Sequence, residues 1–561
     1  MLNKLKLAVL GDSSTQLLVN AVRKDGNTRG YDLDIFEGEF NQITHLVTDL
    51  SSDLYAFAPD VVVILFSVES LQAKFSVTAT ELRSGFADDQ VDEIKRLVSC
   101  LRLTGEKRRI IISNFAEMND GVYGNSSNKY RQSFLFALRR INLELMELAI
   151  DNSEVSILDI ALIQSRLGRN QFFDPRLYVN ASMSFSLEAL PLLSRNIIDL
   201  ISVSQGNARK CLILDLDNTV WGGIIGDDGV EKIEVGDFGI GKAFTRLQKW
   251  AKELKLRGIL LAVCSKNSEE IAKEPFLVHP DMELKLEDFS IFVANWDDKV
   301  ANIRHIQTML NIGFDSMVFV DDNPFEREQV RSSLPDVNVP ELPEDPAEYM
   351  EFLCELNLFE AGILSEMDSE RTGMIQQELE RKKIQEKFEN QDDFLRNLEM
   401  KCRVSSFNTF NIPRVAQLSE RSNQFNLRTV RYSEQDVSDI ANNTSYTGLA
   451  LNLEDRLGDH GLISVIVLRQ ELTDLFIENW FMSCRVLKRG VEQLALEEIV
   501  RVARQRDCMR IVGEYIPTKK NALVSEHYKS LGFHHAEGNI WSLPCTDFVR
   551  VNYFIERVKN D

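Results

Sequence analysis

The chain of 561 residues carries 86 acidic against 64 basic side chains, a formal net charge of −22. At about 150 residues per domain it makes three or four units, each able to bury its own core. The acidic balance argues against nucleic acid or an anionic membrane as a partner, and no apolar run approaches the ~20 residues that cross a bilayer.

The first apolar run, Leu7–Leu10, is too short for a signal-peptide core and reads as a strand. Residues 1–200 have the pattern of an α/β domain. Strands are expected at Leu5–Leu10, Val61–Phe66, Arg109–Ser113 and Val155–Asp159, with helical patterns between them. The first strand runs into Gly11-Asp12-Ser13, which resembles the opening block of SGNH-type hydrolases, whose serine is a nucleophile. The later blocks of that family are missing. Ser67-Val68-Glu69 stands where Gly-x-Asn-Asp is expected, and Leu177 stands where the histidine of Asp-x-x-His belongs. Without a general base Ser13 is a weak nucleophile, so the reading is a degenerate hydrolase-like domain used for binding or scaffolding.

Residues 211–219, CLILDLDNT, end an apolar strand in two aspartates, Asp215 and Asp217. Positions two apart on a strand share a face, so both carboxylates leave its carboxyl end on one side. Residues 258–264 read as a second buried strand with Ser265 at its end. ANWDDK then places Lys299 at the start of a helix, and SMVFVDDNPFERE runs an apolar strand into Asp321 and Asp322. Polar residues at the carboxyl ends of successive parallel strands mark a ligand crevice.

These four motifs, in this order, resemble the haloacid dehalogenase (HAD) superfamily. The resemblance implies that Asp215 is the nucleophile, forming an aspartyl-phosphate, and that Asp217 is the general acid and base. Ser265 and Lys299 would hold the phosphoryl oxygens. Asp215, the backbone carbonyl of Asp217 and Asp321 would hold Mg²⁺, with Asp322 binding a metal water or orienting Lys299. The gaps between these motifs leave little room for a cap domain. GGIIGDDGVEKIEVG reads as a Gly-rich hairpin flap at most, so the site is expected to be open.

The eight cysteines form no CxxC pair, and Cys211 and Cys264 lie within apolar strands. They read as reduced thiols in a cytoplasmic protein. Residues 346–395 are rich in Glu, Lys, Arg and Gln with sparse apolar positions, and read as exposed helices linking two domains.

From residue 396 a third unit begins, with strands in LISVIVL and LTDLFIENWFMSC and a helix after Gly490. It resembles the GNAT acyltransferase fold, in which a Gly-containing turn before a helix offers N–H groups to a pyrophosphate. Arg485 and Gly490 match that turn, while Lys488 stands in place of its first glycine. Tyr528, in Tyr528-x-x-Leu-Gly-Phe, occupies the position of a general acid or else packs its ring in the core.

Taken together, NTVWGGIIGDDG, VCSKN, HPDM, ANWDDK, VFVDDNPFERE, QFNL and SCRVLKRGVE are similar to the FkbH-like proteins, HAD subfamily IIIC, over roughly residues 155–550. Long members of that family also carry the SGNH-like region. The expected architecture is therefore multidomain α/β: SGNH- or flavodoxin-like over 1–200 and HAD-like without a large cap over 205–345. A charged helical linker follows over 346–395, then a GNAT-like α+β unit over 396–561.

Several members take a glyceryl unit from 1,3-bisphosphoglycerate, remove its phosphate and load it onto an acyl carrier protein as a thioester. By resemblance the cofactors are Mg²⁺ and a thiol of coenzyme A or phosphopantetheine, and the partners a phosphorylated small molecule and an acyl carrier protein. Cys484 is the candidate acyl-carrying thiol, favoured by Arg485 and a helix N-terminus. His460 is the candidate base for it or for the carrier thiol. The bland alternatives are that Cys484 packs at a strand end and that His460 serves its own turn. The functional alternative is a stand-alone phosphohydrolase of a phosphometabolite or phosphosugar whose C-terminal unit only binds product.

Overall fold

The computed structural model describes residues 3–103, 108–361, 377, 381, 384–385, 388, 390–422, 424–518 and 520–558. It divides into two compact units, Met1–Ser204 and Gln205–Asp561. Among the described residues no helix is long and apolar enough to cross a membrane.

The first unit holds a five-stranded sheet of β1 (Asn3–Gly11), β2 (Tyr31–Glu37), β3 (Val61–Leu65), β4 (Arg109–Ser113) and β5 (Val155–Leu158). All neighbours are parallel and the order is β2-β1-β3-β4-β5. β3 is buried at every position, as a strand covered by helices on both faces must be. This is the doubly wound arrangement, and its strand order reverses between β1 and β3, which puts the crevice beside Asp12 and Ser13. The edge strand β2 lacks the long apolar run of the others and was not expected from the sequence.

The second unit opens with a four-stranded parallel sheet of β6 (Cys211–Leu214), β7 (Leu260–Ser265), β8 (Phe289–Ala294) and β9 (Met317–Val320), in the order β8-β7-β6-β9. The helix Gly241–Leu256 packs Phe244, Leu247, Ala251 and Leu254 on one face. The helix Lys299–Leu310 packs Ile303, Ile306 and Leu310 on the other.

The expected flap is smaller than a hairpin. Gly222 pairs with Glu234 through a single bridge, with the short helix Ile225–Asp228 between them. The expected linker is also shorter. Tyr349, Met350, Leu353, Leu358 and Phe359 are buried in the core beneath β6, so the segment around the helix Tyr349–Glu355 is part of this domain. At the other end Phe394, Leu395 and Leu398 belong to the next core. Sparse apolar positions were still enough, at helical spacing, to pin these ends down. Most of the charged stretch between them lies outside the described residues.

The remaining sheet has eight strands: β10 (Met400–Ser405), β11 (Tyr446–Asp455), β12 (Gly458–Glu471), β13 (Asp474–Met482), β14 (Arg510–Glu514), β15 (His534–His535), β16 (Ile540–Pro544) and β17 (Ile555–Val558). β10 to β13 form an antiparallel meander. The helix Val491–Gln505 then carries the chain to β14, which runs parallel to β13. This is the GNAT-like α+β unit.

β13 and β14 pair only over Asp474–Ile477 and then diverge. The notch is filled by the chain itself. Leu427 N donates to Trp480 O (3.1 Å) and Met482 N to Phe425 O (3.0 Å) on one side, while Ile516 N donates to Leu427 O (2.9 Å) on the other. The QFNL motif thus supplies a short plug that satisfies the backbone groups left by the divergence.

Candidate active site

Three strand ends and one helix start converge at the carboxyl edge of the four-stranded sheet. Asp215 follows β6, and its N–H donates to Val320 O of β9 at 2.9 Å, which locks the two loops together. Lys299, at the start of its helix, is buried between two carboxylates. Its Nζ lies 3.0 Å from Asp215 Oδ1 and also contacts Asp321 Oδ2. Asp298 caps that helix by accepting from Ala301 N at 2.8 Å, and so fixes where Lys299 starts.

Asp321 is fully buried. Its Oδ1 accepts from Asn323 N at 2.9 Å, and the Arg327 guanidinium donates to the carbonyls of Asp321 (2.9 Å) and Asp322 (2.6 Å). Thr219 ties the loop after β6 to this one, its hydroxyl accepting from Asp322 N at 3.1 Å.

The electrostatics call for a further cation. Burial pushes the Asp215 carboxyl up to about 6, with the negative charge of Asp321 adding to the rise and Lys299 opposing it. Asp321 and Asp322 are pushed up by burial as well. One oxygen each from Asp215, Asp321 and Asp322 lie within 4.8 Å of one another. Asp215 Oδ1 is buried without an aligned hydrogen bond, its contact with Lys299 being an ion pair off hydrogen-bond geometry. Three carboxylates around one ammonium leave an excess of negative charge that a hard divalent ion with oxygen ligands would cancel.

Asp217 is not one of the three. Its Oδ1 accepts from Trp221 Nε1 (2.9 Å) and Ile225 N (3.0 Å), and its Oδ2 from Asn267 Nδ2 (2.8 Å). The side chain is thereby turned away from the carboxylate cluster, leaving only its backbone carbonyl for a metal. Ser265 is buried at the end of β7, within 3.4 Å of Asn267 Nδ2.

Sequence reasoning missed Asn267, Trp221 and Arg327 as working parts of this site. Asn267 was within reach of the strand argument, since it stands two residues beyond Ser265. Trp221 carried no signal except its place in the motif. Arg327 acts through backbone carbonyls, which no pattern of side chains reveals.

The second group of expected residues is only partly brought together. Cys484 follows β13 in a short turn, half-buried, and its thiol donates to Asn311 O at 3.9 Å. Asn311 is the left-handed cap (φ 51°) of the helix that begins at Lys299. Cys484 and Arg485 line a cavity of about 300 Å³.

His460 is not in its wall. It is buried with Nε2 2.9 Å from Asp455 Oδ2, and Asp455 also takes two Arg381 N–H groups at 2.7 Å each. Burial holds the imidazole below its ordinary range. His460 therefore orients Asp455 rather than serving as a base at the thiol.

Gly490 caps the helix Val491–Gln505 at φ 95°, where an added Cβ would meet Tyr553 at 2.8 Å. The expected pyrophosphate cradle is taken. The Glu492 carboxylate folds back onto the N–H of Lys488 (2.9 Å) and bonds Gly490 N as well. Tyr528 is buried with no partner for its hydroxyl and packs its ring on Gly513 and Phe533. Its surroundings are those of a core residue, and burial pushes its phenol up.

Comparison with known proteins adds an independent view. A family model described as FkbH, N-terminal domain, matches residues 6–202. The chain is similar to a solved structure of the N-terminal part of the protein BF1531 from Bacteroides fragilis, described as containing a phosphatase domain complexed with Mg. The two are 49% identical, with a TM-score of 0.62, over 64% of this chain and 95% of that one. It is also similar to the ribosomal-protein-S18-alanine N-acetyltransferase of Escherichia coli, at 18% identity and a TM-score of 0.21, over 26% of this chain and 94% of that one. No curated protein matches the chain.

Proposed function

The chain belongs to the FkbH-like family, and on that premise we propose that it is a Mg²⁺-dependent phosphatase coupled to acyl transfer, acting on a phosphoglyceryl-type substrate. The observation that carries the phosphatase reading is the cluster of buried Asp215, Lys299 and Asp321 with half-buried Asp322. Asp215, Asp321, Asp322 and the Asp217 carbonyl would hold Mg²⁺, which neutralises the phosphoryl charge when bound.

The remaining work falls to the chain's own groups. Asp215 attacks phosphorus, forming an aspartyl-phosphate as the ester oxygen leaves. Asp217 gives that oxygen a proton and later takes one from the water that releases phosphate. Ser265 and Lys299 hold the equatorial oxygens. Trp221 and Asn267 fix the Asp217 carboxyl while it does both.

For acyl transfer the supporting observation is the cavity at Cys484. The helix Lys299–Leu310 connects the two places, with Lys299 at one end and Asn311, against Cys484, at the other. At 1.5 Å per residue it spans about 18 Å. A three-carbon acyl group on a cysteine reaches only about 5 Å past the sulfur. Phosphate is thus removed before the acyl group joins Cys484 or after it leaves on a longer arm, such as the phosphopantetheine of an acyl carrier protein.

One observation favours the stand-alone phosphohydrolase. Glu492 fills the turn before the helix Val491–Gln505, so the expected coenzyme A contact there is taken by the protein.

Intact-protein mass spectrometry after mixing the protein with Mg²⁺ and enzymatically generated 1,3-bisphosphoglycerate decides between the two. A glyceryl adduct that disappears in Cys484→Ser supports coupling. No adduct, with phosphate release lost only in Asp215→Asn, leaves a phosphohydrolase. Turnover unchanged in a folded Asp215→Asn protein overturns the phosphatase reading itself.

A further inference from the structure

The residue between Ser265 and Asn267 is a lysine. Ser265 and Asn267 lie together, 3.4 Å apart, with Asn267 also on Asp217. Lys266 turns the other way. Its Nζ donates at 2.6 Å to Oε1 of Glu326, in the first turn of the helix Pro324–Ser333. The sheet shows where that bond runs. Ile213, Cys264 and Phe319, on β6, β7 and β9, face one core, and the helices Lys299–Leu310 and Pro324–Ser333 pack Ile303 and Val330 on it. Positions two apart share a face, so Asp215, Lys266 and Asp321 belong to that side as well. β6 lies between β7 and β9. A bond from the end of β7 to the helix after β9 therefore passes over the end of β6, where Asp215 stands. β6 and β7 pair Leu214 with Val263, which sets Cys264 level with Asp215. Lys266 is two residues, about 7 Å, further out on the neighbouring strand.

Two features fix this ammonium and leave it available. Glu326 is buried, and its Oε2 has no hydrogen-bond partner among the described residues, so the carboxylate depends on Lys266 for its neutralisation. Withdrawing Lys266 would strand a buried charge, which holds the ammonium in place. Glu326 takes one of its three N–H groups. The other two have no partner among the described residues, and the side chain is 36% exposed. Lys299 is the opposite case. It is buried with both Asp215 and Asp321 on its ammonium, so its charge is spent inside the cluster.

We propose that Lys266 is a further phosphate-binding residue of this site: held by Glu326, it donates to the non-bridging oxygens of an incoming phosphate monoester, beside Ser265 and Lys299. A phosphoryl group seated on Asp215 would fill the interval beneath it, and an ammonium with free donors makes charge-assisted hydrogen bonds to phosphate oxygens. The inference rests on the phosphatase reading and divides the labour of its two lysines. Lys266 captures the dianion, while Lys299, locked to the nucleophile, acts on the group being transferred. Glu326 touches no substrate and is a positioning residue for Lys266.

The test compares the full-length wild type with the double variant Lys266→Met, Glu326→Gln, which removes both charges and strands neither, and with Lys266→Arg. Two quantities are read with Mg²⁺ present. One is kcat and KM for p-nitrophenyl phosphate. The other is the dissociation constant of inorganic phosphate by titration calorimetry, which needs no turnover. In the double variant, KM and the phosphate dissociation constant should both rise about tenfold, with kcat within about threefold of wild type and a cooperative melt retained. Lys266→Arg keeps the charge and should recover most of the loss. Glu326→Gln alone leaves the ammonium unanchored and should raise both constants by less than the double variant does. Phosphate binding that is equal in the double variant, or absent from the wild type, overturns the proposal. So does a fall in kcat with KM and phosphate binding intact, which would make the pair a structural strut. The phosphatase reading is judged apart from this by Asp215→Asn: turnover that survives there removes it, whatever the phosphate constants of the Lys266 variants are.

Discussion

The two parallel sheets of this protein are built alike and equipped differently. Each is covered on both faces, and each sends polar residues out of its carboxyl edge. In the sheet of β6 to β9 those residues are carboxylates and a cation packed against one another: Lys299 between Asp215 and Asp321, with Asp322 alongside. In the sheet of β1 to β5 they are spent on tying strand ends together. Asp12 accepts from Ser67 N, Ser113 accepts from Phe66 N, and Asn114 donates to Asp159, each at 2.8 Å. Ser13 is buried, 4% exposed, and the cavity nearby is small, about 80 Å³ and lined by Asp12 but not by Ser13. A crevice at the right place in an α/β fold is therefore only an opportunity. What makes a reaction centre is charge left unbalanced by the protein's own hydrogen bonds.

The comparison breaks most violently if the buried charges of the sheet of β6 to β9 are edited. Asp215→Asn should abolish phosphate release, by roughly 10³-fold or more, in a protein that still melts cooperatively. Lys299→Met removes the cation from between two buried carboxylates and should cost about 3–5 kcal/mol without metal. Added Mg²⁺ should then raise the melting temperature more in Lys299→Met than in the wild type, because the ion takes over part of the lost neutralisation. A Mg²⁺ shift equal in both proteins would mean that the acidic cluster is not where the ion binds.

A smaller effect tests how Asp217 is held. Trp221→Phe deletes the indole N–H that reaches Asp217 Oδ1 from a fully buried ring. A hydrogen bond to a charged group is worth about 1.5–3 kcal/mol, so a loss of roughly tenfold in kcat is expected. The loss should fall on alkyl phosphates, whose leaving oxygen needs a proton, and spare p-nitrophenyl phosphate, whose leaving group does not. Equal losses on both substrates would reduce Trp221 to a packing residue.

The other sheet should respond to pH instead of to metal. Burial raises Asp12 to about 6 and Glu69 to about 7, against ordinary values of 3.8 and 4.5, with Lys74 opposing the shift at Asp12 and Arg169 opposing it at Glu69. Both folded values are raised, so the neutral acids favour the native state. That contribution is complete below about pH 4 and is lost as pH rises through 6 and 7. Between pH 5 and 8 the melting transition of the N-terminal unit should fall by a few degrees, and Asp12→Asn with Glu69→Gln should flatten the profile. An unchanged slope in the double variant would place the dependence elsewhere.

How far the sequence disclosed this molecule follows from the same contrast. Strands buried on both faces announced themselves as apolar runs, which is why β1, β3, β6, β7 and β9 were readable, and β2, an edge strand with alternating exposure, was not. Asp215, Lys299 and Asp321 were visible because their motifs end such runs. Cys484 and His460 were paired by chemistry alone, and the fold separates them, because a histidine on β12 finds Asp455 across its own hairpin before it meets anything else. The closure of the GNAT-like notch by Phe425–Leu427 was beyond reach as well. It depends on backbone hydrogen bonds between segments distant in the chain, and nothing in the side chains of QFNL says which strands its backbone will join.

The smallest expected effect is none at all. If the residues around Ser13 only hold strands together, Ser13→Ala should leave phosphate release unchanged and remove no ester hydrolysis, because the full-length protein should have none above background toward p-nitrophenyl acetate. The reasoning is local. A serine hydroxyl becomes a nucleophile when a base takes its proton, and among the described residues no histidine of the N-terminal unit is bonded to Ser13. His45, the one histidine in this unit, sits in the helix Ile43–Thr48. Ester hydrolysis that disappears in Ser13→Ala, with a base found among Asp12, Glu69 and Tyr178, would erase the contrast between the two sheets and make both of them reaction centres.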